Sequence, residues 1–104
     1  MAFTGNEDHS ILIEEASALT SRYRAQLTMG GKIGGFFGKA AIESILDQQD
    51  CVGIRYYYGL TEEDEQVLVL IGVDEDENDL VEGVVCEFSV ACPPNCGSSN
   101  DLNS

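Results

Sequence analysis

The residues of this sequence best suited to metal or redox chemistry are its four cysteines, of which Cys92 and Cys96 lie close together. Structural zinc sites commonly show pairs of ligands two to four residues apart. The Cys-Pro-Pro-Asn-Cys segment approaches that spacing, whereas Cys51 and Cys86 each stand alone in an apolar segment, where a cysteine behaves as a small apolar side chain. Free thiols are the first interpretation of Cys92 and Cys96, and a small disulfide loop or half of a metal site are the alternatives.

A second candidate for chemistry is the acidic segment 74–79, Asp-Glu-Asp-Glu-Asn-Asp, which begins with Asp74 and Asp76 at alternate positions. Oxygen ligands with this spacing open a calcium-binding loop. The rest of the EF-hand signature is missing, because Asp79 stands at the glycine position and Val85 at the position of the bidentate glutamate. The segment is therefore predicted to be a solvated turn.

The remaining chemical signals are weaker. The glycine-rich segment 30–39 contains Gly-Lys pairs but lacks the spacing of a phosphate-binding loop, so it is predicted to be a flexible connector. The single histidine, His9, lies in a polar N-terminal segment without a nucleophile beside it. The acids of segment 62–65 form an exposed turn without an apolar wall that could raise a pKa. The sequence predicts no catalytic residue and no cofactor.

Two amphipathic helices are predicted in the first half of the chain. Apolar residues recur at spacings of three and four from Leu12 to Leu27, which places them on one stripe of a helix over 11–28, with Ser10 as a possible cap. A second pattern of this kind predicts a helix over 37–49.

The second half of the chain has the period of β-strands. Residues 51–58 alternate and are rich in aromatic and branched side chains, and residues 67–73 are apolar on both faces, as in a central strand. These two segments predict a hairpin, and a weaker alternation over 84–90 predicts a third strand. The predicted fold is α+β, with two N-terminal helices packed on a small antiparallel sheet.

The predicted organisation is a single α+β domain over residues 9–91 with flexible tails at 1–8 and 92–104. The first segment lacks the basic region and apolar core of a secretory signal, and no stretch approaches a membrane span, so we expect a cytoplasmic protein without a membrane role.

Charge restricts the class of partner. The formal net charge is −14, and residues 51–104 hold twelve acids and one base, Arg55. Direct binding to nucleic acid is therefore disfavoured, whereas basic proteins are attracted. Because residues 67–73 have more apolar surface than two short helices cover, a protein partner or a homodimer is expected.

Residues 51–59 (Cys-Val-Gly-Ile-Arg-Tyr-Tyr-Tyr-Gly), 67–74 (Val-Leu-Val-Leu-Ile-Gly-Val-Asp), 78–80 (Asn-Asp-Leu) and the Cys-Pro-Pro-Asn-Cys segment resemble a group of short, uncharacterised bacterial proteins. The resemblance covers residues 11–98 and implies no activity, substrate or cofactor. This chain departs from the group at residues 61–65, where the group has a glycine-containing tight turn.

The sequence thus predicts a small acidic accessory or protein-interaction module without catalytic activity, which binds a basic partner. The alternatives are a metal or thiol-redox site at Cys92 and Cys96, an acidic decoy that occupies a nucleic-acid-binding protein, and an unrecognised enzyme. The residues predicted to form the interaction surface are Arg55, Tyr57, Glu62, Glu63, Asp64, Glu65, Asp74 and Asp76.

Overall fold

The structure is a computed structural model that describes residues 2–28 and 31–104. It confirms an α+β chain, with two helices and two small antiparallel sheets among these residues. The elements in chain order are α1 (Ile13–Ala25), β1 (Gly34–Phe36), α2 (Lys39–Leu46), β2 (Gly53–Leu60), β3 (Gln66–Val73), β4 (Val85–Cys86) and β5 (Val90–Cys92). No helix in the described part of the chain is long and apolar enough to cross a membrane.

The chain divides into two compact units. The first unit contains residues 1–7 and 37–89, and the second contains residues 8–36 and 90–104. The flexibility predicted for the two tails and the single domain predicted over residues 9–91 stay predictions.

The hairpin predicted from the alternation is confirmed and forms the centre of the first unit. Strands β2 and β3 pair antiparallel from Gly53 opposite Val73 to Leu60 opposite Gln66, and β4 adds to the other edge of β3. Strand β2 begins and ends two residues later than the strand predicted over 51–58. Strand β3 matches the predicted 67–73 with one residue added at its start.

Helix α2 packs against one face of this hairpin. Ile45, on the helix, is fully buried, and an added Cβ at Gly72 of β3 would lie 3.3 Å from its Cγ2 atom and 2.8 Å from Nε2 of Gln48. Gln48 donates from Nε2 to the carbonyl of Ile45 and accepts at Oε1 from the amide of Val84, at 2.9 and 2.8 Å. The absence of a side chain at residue 72 therefore lets the helix approach the sheet closely.

The helix covers only part of the hairpin. Both α2 and β2 have eight residues, but a helix of that length spans about 12 Å and a strand about 26 Å. Among the described residues, Leu70 is buried on the same face as Gly72, whereas Ile71 and Val73 are buried on the opposite face, which they share with Arg55.

The second unit is built from α1, β1 and β5. Strand β1 pairs antiparallel with β5, and Phe36 lies opposite Val90. Within the predicted glycine-rich connector, the structure thus places a short strand, while Met29 and Gly30 lie outside the described residues. Helix α1 is shorter than the predicted 11–28, and its N-cap is Leu12 rather than Ser10; the amide of Leu12 donates to Glu15.

The single third strand predicted over 84–90 is wrong in detail. The segment divides into β4 and β5, which belong to different sheets. Between them, Phe88 has a φ of 49°, in the left-handed region that extended strands exclude, and its side chain is 92% exposed. The predicted packing is seen for α2; for α1, which belongs to the second unit, packing on the hairpin stays a prediction.

Candidate functional site

The structure separates the predicted interaction residues into two groups at opposite ends of the hairpin. Residues 62–65 form the turn between β2 and β3, whereas Asp74 and Asp76 follow the far end of β3. Because β3 has eight residues, these acidic groups are separated by roughly 20 Å or more along the strand. The predicted set therefore does not form a single surface.

Arg55 and Tyr57 lie on one face of β2 and both contact Asp79, which the sequence analysis treated only as part of an acidic turn. Arg55 Nη1 lies 2.5 Å from Asp79 Oδ1 and donates to the carbonyl of Glu77 at 3.1 Å. The Tyr57 hydroxyl donates to the other carboxylate oxygen of Asp79 at 2.5 Å. The backbone of Asp79 forms an isolated antiparallel bridge with Val73, at the end of β3.

The pKa values of the three residues in this cluster are shifted further from neutral pH. The hydrogen bond from Tyr57, with the charge of Arg55 adding to it, lowers the pKa of Asp79 below its ordinary value. The hydrogen bond to Asp79 raises the pKa of Tyr57, and the same carboxylate raises the pKa of Arg55. General acid–base catalysis favours a pKa near 7, so these shifts suit an ion pair that fixes structure.

The N-terminal segment also contacts this cluster. The Arg55 guanidinium carbon lies 5.8 Å from the centroid of the Phe3 ring, within the range of a cation–π contact. The amide of Phe3 donates to the carbonyl of Glu75 at 2.9 Å. Arg55 is therefore held by an acid, a carbonyl and a ring, and only 30% of its side chain is exposed.

Asp74 organises the acidic turn that follows β3. Its Oδ1 accepts the amides of Asp76 and Asn78 at 2.9 and 3.0 Å, and Glu77 has a φ of 70°. Such side-chain to backbone bonds are typical of aspartate in turns. Within residues 2–28 and 31–104 there is no group of three or more His, Cys, Asp or Glu residues placed to hold a metal ion.

The turn between β2 and β3 is held by Thr61, whose Oγ1 accepts the amides of Glu63 and Glu65 at 3.2 and 3.1 Å. Asp64 has a φ of 63° and supplies the left-handed position that glycine commonly fills in three-residue hairpin loops. The acidic side chains of residues 62–65 are all exposed. Aspartate thus makes this turn possible without the expected glycine.

Next to this turn, three apolar or aromatic side chains on one face of β2 are open to solvent. Tyr56, Tyr58 and Leu60 are 56, 71 and 70% exposed. The rings of Tyr56 and Tyr58 meet edge to face with centroids 5.6 Å apart, and the neighbouring Tyr56 phenol raises the pKa of Tyr58. We call residues 56–68, with these side chains and the acidic turn, the outer hairpin.

Tyr56, Tyr58 and Leu60 were not selected from the sequence, because the two tyrosines were assigned only to an alternating strand over 51–58 and Leu60 lies outside that predicted strand. The sequence did contain a signal for this exposure, namely the length of the predicted helix compared with that of the strand. The helix predicted over 37–49 spans about 20 Å and an eight-residue strand about 26 Å, so part of the apolar face had to remain uncovered.

In the second unit, Cys92 and Cys96 form a disulfide with a Cα–Cα distance of 4.8 Å, which is the second of the alternatives weighed from the sequence. Cys92 ends β5 opposite Gly34, and the amide of Asn95 donates to the carbonyl of Ala91. Cys51 and Cys86 are free.

The second unit also has a shallow cavity of about 180 Å³, below the roughly 300–1,000 Å³ of typical small-molecule sites. At its edge, Arg24 donates to the carbonyls of Leu102 and Ser104. The cavity is lined by Leu19, Thr20, Tyr23, Arg24, Ile33 and Leu102.

No known protein family, curated protein or solved structure matches this chain. The resemblance to a group of short bacterial proteins stays a prediction.

Proposed function

We propose that this chain is a protein-interaction module without catalytic activity, and that it binds a basic segment of another protein at the outer hairpin. The observation that carries the proposal is the exposure of Tyr56, Tyr58 and Leu60 directly beside an acidic turn. Aromatic side chains supply much of the energy of protein interfaces, and an apolar patch rimmed by polar groups is typical of an interaction site.

Charge selects the kind of partner. The acids of residues 62–65 are exposed beside the apolar side chains, and the whole chain has a net charge of −14. A partner with lysine or arginine beside apolar residues would satisfy both features, and its association would be accelerated at low salt.

A second copy of this chain fits the acidic turn and the exposed apolar side chains less well than a basic partner does. If two β2 strands paired antiparallel, the acidic turn of each copy would face the acidic segment 74–79 of the other. If they paired parallel, the two turns at residues 62–65 would lie side by side. Like charges oppose both arrangements, so a basic partner is favoured over a homodimer.

The proposed absence of catalysis is supported by the Arg55, Tyr57 and Asp79 cluster. Both Asp79 carboxylate oxygens have partners, and the pKa values of Asp79 and Tyr57 are shifted away from neutrality. In this proposal the side chains of Arg55, Tyr57 and Asp74 stabilise the hairpin and the turn that follows it, and they do not contact the partner.

The proposal can be tested with a fluorescently labelled ten-residue peptide in which lysine and valine alternate. We expect saturable binding by anisotropy, with an affinity that falls as salt concentration rises. A matched peptide in which glutamate replaces lysine should not bind. Equal binding of both peptides, or no binding of the lysine peptide at low salt, would contradict the proposal.

Variants test whether the acids of the turn, rather than the net charge of the chain, attract the peptide. Replacing Glu62 and Glu63 by glutamine should weaken binding about threefold to tenfold, since each exposed ion pair contributes up to about 1 kcal/mol. Glu14→Gln with Asp101→Asn removes the same charge from exposed positions of the second unit and is the matched control. If the control weakens binding equally, net charge rather than the turn attracts the peptide.

A second candidate function is a thiol–disulfide site at Cys92 and Cys96, favoured by the bond between their sulfurs and by the exposure of residues 93–95. In a cytoplasmic location, which we also propose, disulfides are usually transient and serve redox chemistry. Reduction by an external dithiol breaks this S–S bond and gives two thiols, while the dithiol gives up two electrons and two protons and becomes a disulfide. The metal form of this candidate would use the reduced pair as ligands.

Thiol counting with a graded series of dithiol reductant tests the second candidate. We expect two thiols, those of Cys51 and Cys86, before reduction, and two more after it, with reversal on oxidation. Cys92→Ser with Cys96→Ser should abolish the change, whereas Cys51→Ser should leave it. Four thiols in protein purified without reductant, unchanged by oxidant, would exclude a redox role.

A further inference from the structure

The pairing of β2 with β3 determines which backbone N–H and C=O groups of β2 remain available to bond another chain. The amide of Thr61 donates to the carbonyl of Glu65, which makes these residues a hydrogen-bonded pair at the turn. Hydrogen-bonded and non-hydrogen-bonded pairs alternate along an antiparallel ladder. Arg55, Tyr57 and Gly59 therefore direct their N–H and C=O groups to β3, and the even-numbered residues direct theirs to the opposite edge.

Three of these even-numbered residues also have the most exposed side chains of the strand, although Tyr57 is 47% exposed on the other face. Tyr56, Tyr58 and Leu60 present backbone groups at the edge of the sheet and side chains on one of its faces. In the order β2-β3-β4, β2 is at the edge of its sheet. An extended chain lying along this edge would meet hydrogen-bonding groups and apolar surface at the same three residues.

The two edges of this sheet differ in protection. Natural proteins protect edges with very short strands, lysine, proline or bulges, because an open edge can pair with another chain. Strand β4, at one edge, has two residues. Strand β2 has eight, with no proline or lysine and an unbroken register, and its one charged residue, Arg55, is paired with Asp79.

We infer that the partner of the outer hairpin binds by strand addition, as an extended segment that pairs with the open edge of β2. This inference rests on the proposed function and names its mode of recognition. The segment has apolar residues at every second position, which pack beside Tyr56, Tyr58 and Leu60, and lysine or arginine at the end that lies beside residues 62–65. Main-chain bonds supply affinity in such complexes, and alternate side chains supply specificity.

The test compares the lysine–valine peptide with the same peptide N-methylated at its four central residues. Methylation removes backbone donors from both edges of the peptide but keeps its charge and side chains. We expect the methylated peptide to bind at least tenfold more weakly. Amide exchange of the protein, measured by NMR, should slow at Tyr56, Tyr58 and Leu60 when the unmethylated peptide is added, by at least tenfold.

The amides of Arg55 and Tyr57 are the internal control, since they already bond to β3 and should change far less than the three even-numbered amides. Equal affinity of the two peptides, or unchanged exchange at the even-numbered residues of the saturated protein, would overturn strand addition while leaving the interaction proposal in place. Failure of the unmethylated peptide to bind would overturn the proposed function, and the inference with it.

Discussion

The two ends of the β2–β3 hairpin have similar sequences but opposite environments. At the inner end, Leu70, Ile71 and Val73 are at most 8% exposed, whereas at the outer end Tyr58 and Leu60 are at least 70% exposed. On the face that contains Leu70 and Gly72, the difference follows from the length of α2, which covers this strand end and leaves the other end uncovered. Ile71 and Val73 lie on the opposite face, which they share with Arg55. An apolar pattern in a strand thus predicts a surface to be covered, and the length of the neighbouring helix decides what covers it.

The largest expected effect comes from the inner end. Ile45→Ala removes a fully buried side chain and should lower the free energy of unfolding by about 3 kcal/mol, as deletion of buried methyl groups does in a packed core. Chemical denaturation would measure this. Leu46→Ala, at the next position on the helix but 44% exposed, is the control and should lose less than about 1 kcal/mol. Similar losses at both positions would refute the described packing of α2.

The spacing of the apolar residues and the positions of the turn residues predicted much of the fold. Alternation over residues 51–58 and the two-sided apolar segment 67–73 predicted the hairpin because these patterns are local. The division of the third predicted strand was not predictable in this way, because Phe88 adopts a left-handed φ that no apolar pattern indicates. The pairing of β1 with β5 was also missed, because it joins segments separated by more than fifty residues.

A glycine pair tests how closely α2 approaches the hairpin. Gly72→Ala should destabilise the protein by about 1–2 kcal/mol, because its Cβ would lie 2.8 Å from Gln48 and 3.0 Å from Cys51. Gly53→Ala, in β2, has no atom within 4 Å of the added Cβ and should be neutral or stabilise by about 0.5 kcal/mol. Thermal unfolding would rank the two variants, and the opposite order would contradict the packing.

The Asp79 cluster gives a pH-dependent prediction. Because the folded-state pKa of Asp79 is lowered, its stabilising contribution is present above the ordinary value of 3.8 and is lost as pH falls through the lower folded value. Asp79→Asn should therefore cost about 1 kcal/mol at pH 7 and progressively less below about pH 4. Denaturation at several pH values would show this convergence, and a constant difference would exclude it.

Tyr57→Phe removes one hydrogen bond to the same carboxylate and serves as the partner in a double-mutant cycle with Asp79→Asn. The two losses should be less than additive, because the substitutions remove a shared interaction.

The smallest effect on stability is expected at the outer end. Leu60→Ser should change the free energy of unfolding by less than about 0.5 kcal/mol, since the side chain is 70% exposed. The same substitution should weaken binding of the lysine–valine peptide about tenfold. Val81→Ser, 72% exposed in the same unit, is the matched control and should leave both quantities unchanged. Loss of stability without loss of binding would remove Leu60 from the interaction surface.

The site was less predictable than the fold. Arg55 and Tyr57 were selected from the sequence because they share a strand face, and the structure does bring them together, at Asp79. The partner of that pair lies 24 residues away from Arg55, a separation that strand periodicity does not address. The acids of residues 62–65 were placed correctly on a turn, but their distance from Asp74 depends on the register of the whole hairpin.

The contrast between the two ends can be measured directly by titrating isotope-labelled protein with the lysine–valine peptide and following backbone NMR shifts. The account predicts shifts concentrated between Tyr56 and Glu65, with little change at residues 74–79. Shifts concentrated at residues 74–79, or spread equally over both acidic groups, would show that the peptide follows charge alone and that the outer hairpin is not the binding surface.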